Sequence, residues 1–183
     1  MASTALTYPA TTGNISNGGA SIGWTSTGNA VDGSDATAAQ CDVIDYDVAK
    51  FLALTNLGFA IPSDATINGV EVEVLHKADN AAYFNISRGP WKLIYSGAVV
   101  GTDQAGTGAL TNSPARITVG SSSNLWGVAL TPAIVNSSSF GVGLSYVCSD
   151  VYSGSIIYVY SARIKVYYTE AGTSLRREVI QYA

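Results

Sequence analysis

Across residues 67–77, Val70, Val72 and Val74 alternate with Glu71 and Glu73. This period of two marks a strand with one buried and one wet face. Asn68-Gly69 supplies turn chemistry before it, and Pro62 with Asp64 ends a preceding strand expected over 57–61. A second strand is expected over 139–148, where Phe140, Val142, Leu144, Tyr146 and Cys148 share one face and Gly141, Gly143 and Ser145 the other. Small residues on that second face imply close approach by another backbone, a large side chain or a neighbouring subunit. The third strong pattern runs over 155–169: Tyr158, Tyr160, Ala162, Ile164, Val166 and Tyr168 alternate with Ile157, Val159, Ser161, Arg163, Lys165 and Tyr167. Its first half is apolar on both faces, so the strand is expected inside a sheet, emerging at Arg163.

Weaker strands are expected over 83–86, 93–100 and 115–119. Thr131 as N-cap and Pro132 at the first helical position predict one helical turn. No repeat of fixed period is visible. Many short strands joined by Gly, Asn and Ser turns predict an all-β fold, an antiparallel β-sandwich of jelly-roll type. Residues 1–23 read as an extended arm, 24–169 as the sandwich and 170–183 as a short tail whose Leu175, Val179 and Ile180 lack a partner in their own segment. That tail either folds back or reaches a neighbour; with Arg176 and Arg177 it supplies candidate assembly contacts.

Composition narrows the function classes. The chain has 183 residues, of which 47% are apolar and only 12% charged, enough for one sizeable core and a surface rich in Ser, Thr, Asn and Gly. The net charge of −4 and the absence of a basic run beyond Arg176-Arg177 argue against nucleic-acid binding. No stretch is apolar enough for a membrane span, and the N-terminus does not read as a signal peptide, so synthesis in the cytoplasm is expected. Cys41 and Cys148 are expected as buried free thiols.

Candidate chemistry is sparse. His76 is the single histidine, so any catalytic triad, dyad or histidine-based zinc site would have to be built on it; its place at a strand end, in phase with the valines, suits packing better. Asn29, Asp32 and Asp35 around Gly33 offer oxygen ligands for calcium, or simply Asp-Gly turn chemistry; the EF-hand pattern is missing. Trp24, Trp91 and Trp126, with exposed tyrosines, offer either a sugar-stacking platform or core and interface anchors. No enzyme activity and no cofactor are expected.

One resemblance covers residues 24–169. "WTSTGNAVDGSDATA" from Trp24, "FAIPSDATINGVEVEV" from Phe59, "NLWGVALTPAIVNSSSFGVGLSY" from Asn124 and "ARIKVYYT" from Ala162 occur in that order. Together they resemble a jelly-roll-like domain of structural proteins in tailed bacteriophages and prophages. The resemblance implies a virion protein without enzyme activity, with Trp126, Gly127, Pro132, Asn136 and Phe140 as its architectural motif. Two functions follow as expectations. The first is a capsid decoration, or cement, protein that binds and stabilises the assembled head shell, its partners being the major capsid protein or other virion proteins, with a homo-oligomer, a trimer favoured. The alternative is a tail or head appendage module that binds a host-receptor glycan.

Overall fold

The computed structural model describes residues 1–19, 22–106, 108–150 and 154–171. Two five-stranded sheets stack face to face, and every ladder between named strands is antiparallel. In chain order the strands are β1 (Ala2–Ser3), β2 (Thr11–Ile15), β3 (Ala39–Ile44), β4 (Phe51–Thr55), β5 (Thr66–Ala78), β6 (Ile86–Tyr95), β7 (Ala98–Val100), β8 (Ala115–Gly120), β9 (Gly141–Cys148) and β10 (Gly154–Thr169). Two single helical turns, α1 (Ala81–Phe84) and α2 (Pro132–Val135), and a 3-10 turn over Thr27–Ala30 complete the described elements. The first sheet runs β1-β10-β5-β8, with β3 also on β10; the second runs β2-β4-β9-β6-β7. The architecture is the antiparallel sandwich that the alternation predicts.

The core lies between the sheets. Val70, Val72 and Val74 of β5 and Ile164 and Val166 of β10 face Leu52 and Leu54 of β4 and Val142, Leu144 and Tyr146 of β9, all fully buried. Cys41 and Cys148 are thiols buried in the same core. The small residues Gly141 and Gly143 answer to approaches within the chain. A Cβ at Gly141 would strike the Leu54 carbonyl, and one at Gly143 would press on Phe51 at 3.1 Å and Ile94 at 3.3 Å.

Four local expectations need correction. Uniform alternation along β10 fails at a bulge between Val159 and Ser161, where Tyr160 is the extra residue opposite β5. Ile157 and Val159 therefore face the core before the bulge, Ala162, Ile164 and Val166 after it, and Tyr158 and Tyr160 lie half-buried on the outer face. Residues 57–61 alternate in burial yet belong to no strand, because the groups that pair with Ile61 come from a side chain described below. Residues 83–86 are not one strand: α1 turns between Asn80 and Asn85, both in the left-handed region that Asn tolerates, and β6 starts at Ile86. The stretch 93–100 is a hairpin, reversed by Ser96-Gly97, both with positive φ.

The described residues before β3 are stitched to the sandwich. β10 has 16 residues and β3 covers only its first part, up to Val159, which leaves a backbone edge open further along. The chain start fills it: Ala2 pairs with Tyr168, Ser3 with Tyr167, and Thr7 exchanges two backbone hydrogen bonds of 2.9 Å with Ile164. Thr11–Ile15 then crosses to the other sheet as β2 and pairs with β4.

Candidate interaction surface

The motif between β8 and β9 works as a clasp. Trp126 is fully buried, and its indole N–H donates to the Val70 carbonyl at 2.9 Å while its own carbonyl accepts from Thr102 N–H at 2.7 Å. Trp126 and Gly127 both have positive φ, 56° and 70°, which reverses the chain over the sandwich end. The Thr131 hydroxyl accepts from Ile134 N–H and Pro132 opens α2. The Asn136 amide then acts as a strand partner: Oδ1 accepts from Ile61 N–H at 3.0 Å and Nδ2 donates to the Ile61 carbonyl at 2.8 Å. Phe140 is fully buried below it. These five residues hold architecture together and form no common cavity. Asn136→Ala leaves both Ile61 groups without those bonds, so a urea melt should show about 2 kcal/mol of lost stability. Leu175, Arg176, Arg177, Val179 and Ile180 lie outside the described residues.

The titratable groups are tied to internal partners. His76 is 5% exposed, with Nδ1 at 2.9 Å from the Tyr146 hydroxyl and its ring edge-on to Trp91. Burial, helped by the Arg88 charge, pushes its pKa down to about 4, so it is neutral near pH 7. The Cys41 thiol is pushed up to about 12 by burial and by Asp42 and Asp47. In the acidic turn, Asp32 accepts from the Thr37 hydroxyl and Ser34 N–H, Asp35 accepts from Arg116 and Ser161, and Asn29 donates to the Ala38 carbonyl. The three candidate calcium ligands thus serve three separate local contacts. Glu73 of β5 bridges Arg116 of β8 and Arg163 of β10. Among the described residues no group of three or more His, Cys, Asp or Glu is placed to hold a metal ion.

His76 gives a pH prediction with a definite sign. Its folded pKa of about 4 lies below the ordinary histidine value of 6.5, so between those values the unfolded chain binds the extra proton. Stability should be intact above pH 6.5 and fall as pH drops towards 4, by up to about 1.4 kcal/mol per pH unit. Urea titrations at several pH values should show this slope in the native chain, and His76→Gln should lack it.

The tryptophans do not offer a platform. Trp24 is 4% exposed and Trp91 and Trp126 are fully buried, the first two packed edge-on against Tyr146. What the surface displays is different. Among the described residues the exposed large hydrophobics are Met1, Ile44, Tyr46 and Tyr83, and the last three share one end of the sandwich. Register places them there: Ile44 pairs with Gly154 at the start of β10, Ala78 with Ile157, and Ile86 with Cys148 at the end of β9. The β3–β4 link carrying Tyr46 and the β5–β6 link carrying Tyr83 therefore emerge together.

Tyr46 is held out on strained backbone. Asp45 and Tyr46 have φ of 38° and 62°, and Asp47 N–H closes the turn on the Ile44 carbonyl at 2.8 Å. A tight reversal with two positive φ values favours Asn and Gly, and a tyrosine in its second place costs about 1 kcal/mol. Nearby on the outer face, Lys77 bonds Asp79 at 2.9 Å and sits 4.6 Å above the Tyr158 ring, whose hydroxyl also donates to Asp79. Of the two roles the sequence offers the tryptophans, the structure shows core anchors, and the displayed aromatic is Tyr46, which no sequence signal marks.

No family model matches the chain, and no curated protein does. A solved structure titled "CBM4 structure and function" aligns at a TM-score of 0.41 with 14% identity, covering 69% of this chain and 82% of that one. A likeness of that size carries no functional argument.

Proposed function

We propose that this chain is a non-enzymatic structural protein of a tailed-phage virion, a capsid decoration protein that binds and stabilises the assembled head shell. The observation that carries the reading is the exposed end: Ile44 at 51%, Tyr46 at 62% and Tyr83 at 76% exposure, with Met1 the one other exposed large hydrophobic among the described residues. Tyrosine is enriched among the residues that dominate binding at protein interfaces, while scattered single apolar residues on a surface carry no such meaning. Grouping at one end, with Tyr46 lifted by a strained turn, favours a contact. The buried neutral His76 and the mutually paired Glu73, Arg116 and Arg163 support a role without acid–base chemistry. Recognition of a surface formed only in the assembled shell would stabilise the head by mass action.

The test is the copy number of this chain in purified virions, measured by quantitative mass spectrometry against the major capsid protein. A number comparable to the shell protein is the expected result. A few copies per particle would move the protein to the neck, tail or a receptor-binding appendage, and none would remove it from the virion.

A further inference from the structure

The register of β6 on β9 shifts between Arg88 and Trp91, around Gly89-Pro90. On its other edge β6 is covered by the segment after β7: Gln104 N–H donates to the Trp91 carbonyl at 3.0 Å, Arg88 N–H to Gly108 at 3.1 Å, and Leu110 N–H to Ile86 at 2.8 Å. Trp91 N–H and Ala105 N–H both donate to Asp103 Oδ1 at 2.8 Å. Between the strand and this cover lies a cavity of about 410 Å³, within the range of small-molecule sites.

The cavity has opposite charges on its walls. Arg88 pairs in register with Tyr146, so its side chain projects towards the gap between the sheets, near His76. A Cβ at Gly108 would fall on the Arg88 guanidinium, so glycine at 108 leaves the space that group occupies. Across the cavity stands Asp103, its Oδ1 taken by the two amides. Among the described residues Arg88 and Asp103 form no ion pair with each other or with any other group. A guanidinium donor and a carboxylate acceptor are thus offered to one space without satisfying each other. A simple anion meets Asp103 and a simple cation meets Arg88. Vicinal hydroxyls meet both demands, accepting from the guanidinium and donating to the carboxylate. Pro90 adds an apolar wall for a C–H face, and Ser87, Gly89 and Gly106 also line the cavity.

We infer that the cavity bounded by Arg88, Pro90 and Asp103 is a binding site for a neutral hexose unit. This site does not rest on the shell-binding reading.

The full chain is titrated, in ¹⁵N-resolved NMR, with the methyl glycosides of glucose, galactose, mannose and N-acetylglucosamine, up to about 50 mM. At least one is expected to shift the amides of Trp91, Ala105, Gly106 and Gly108. Arg88→Gln and Asp103→Asn should each weaken it about tenfold or more, the new Asn keeping an acceptor for the two amides. Gly108→Ala, which displaces the guanidinium, gives a second route to the same loss. A trisaccharide ending in the same sugar binds more tightly if the occupant is a glycan end and equally if it is a free sugar; either supports the site. No shift with any glycoside, shifts mapping instead to Tyr158 and Tyr160, or binding that survives both charge substitutions overturns it.

Discussion

Replacing Trp126 by alanine should remove about 4–5 kcal/mol of folding stability, which would consume most of the stability of a domain at the low end of the ordinary range of about 5–15 kcal/mol. The side chain is fully buried, so the change opens a large cavity beneath the β8–β9 connection. It also removes the indole donor from the Val70 carbonyl, which keeps a longer bond of 3.2 Å from Ser121 N–H. Trp126→Phe retains a ring and loses mainly the donor, so its loss should be about 1–2 kcal/mol. Both variants keep a left-handed residue at 126, so backbone strain cancels in the comparison. Urea denaturation followed by far-ultraviolet circular dichroism reads both values. A loss below about 1 kcal/mol for the alanine variant would mean that the clasp is not what holds this end of the sandwich closed.

Tyr46→Gly should move stability and binding in opposite directions. Glycine adopts the φ of 62° without penalty, which favours the folded state by about 1 kcal/mol, partly offset by the freer unfolded chain. Under the shell-binding reading the same change removes a central aromatic contact, and with Tyr83→Ser added it should lower affinity for expanded, undecorated heads about a hundredfold or more. Sedimentation of heads with the double variant, beside its melting curve, separates the two effects. A double variant that still co-sediments like the native chain would exclude this end as the contact.

The strands with clean two-residue periods, β5 and β9, were readable because one face is apolar and the period is uninterrupted. Thr131-Pro132 announced α2 for the same local reason. What lay beyond reach depends on partners remote in sequence. The bulge at Tyr160 changes the face of every later residue in β10, yet Tyr is at home on either side of it. Residues 57–61 carry a strand's alternation, but the Asn136 side chain takes the place of a neighbouring strand there. The Ala2–Ser3 and Thr11–Ile15 strands are short and polar, held by backbone bonds that leave no hydrophobic trace. Arg88 and Asp103 are 15 positions apart with no motif between them, and only the fold brings them to one cavity. Tyr46 was invisible as a display residue because nothing in Asp45-Tyr46 announces a left-handed turn.

β10 is the centre of the first sheet. It bonds to β5, to β3 and to β1, and among the described residues no other strand joins those partners along that side. Until residues 154–169 are in place, β1 and β3 lack their strand partner, and one edge of β5 stays bare. Closure of the sheet therefore proceeds through contacts as remote in sequence as Ala2 with Tyr168, the kind of topology that folds slowly. During that interval the exposed edges are open to other nascent copies. Yield in a host cell should accordingly respond to synthesis rate and temperature more than to the final stability of the domain, and chains truncated before residue 154 should accumulate as insoluble material.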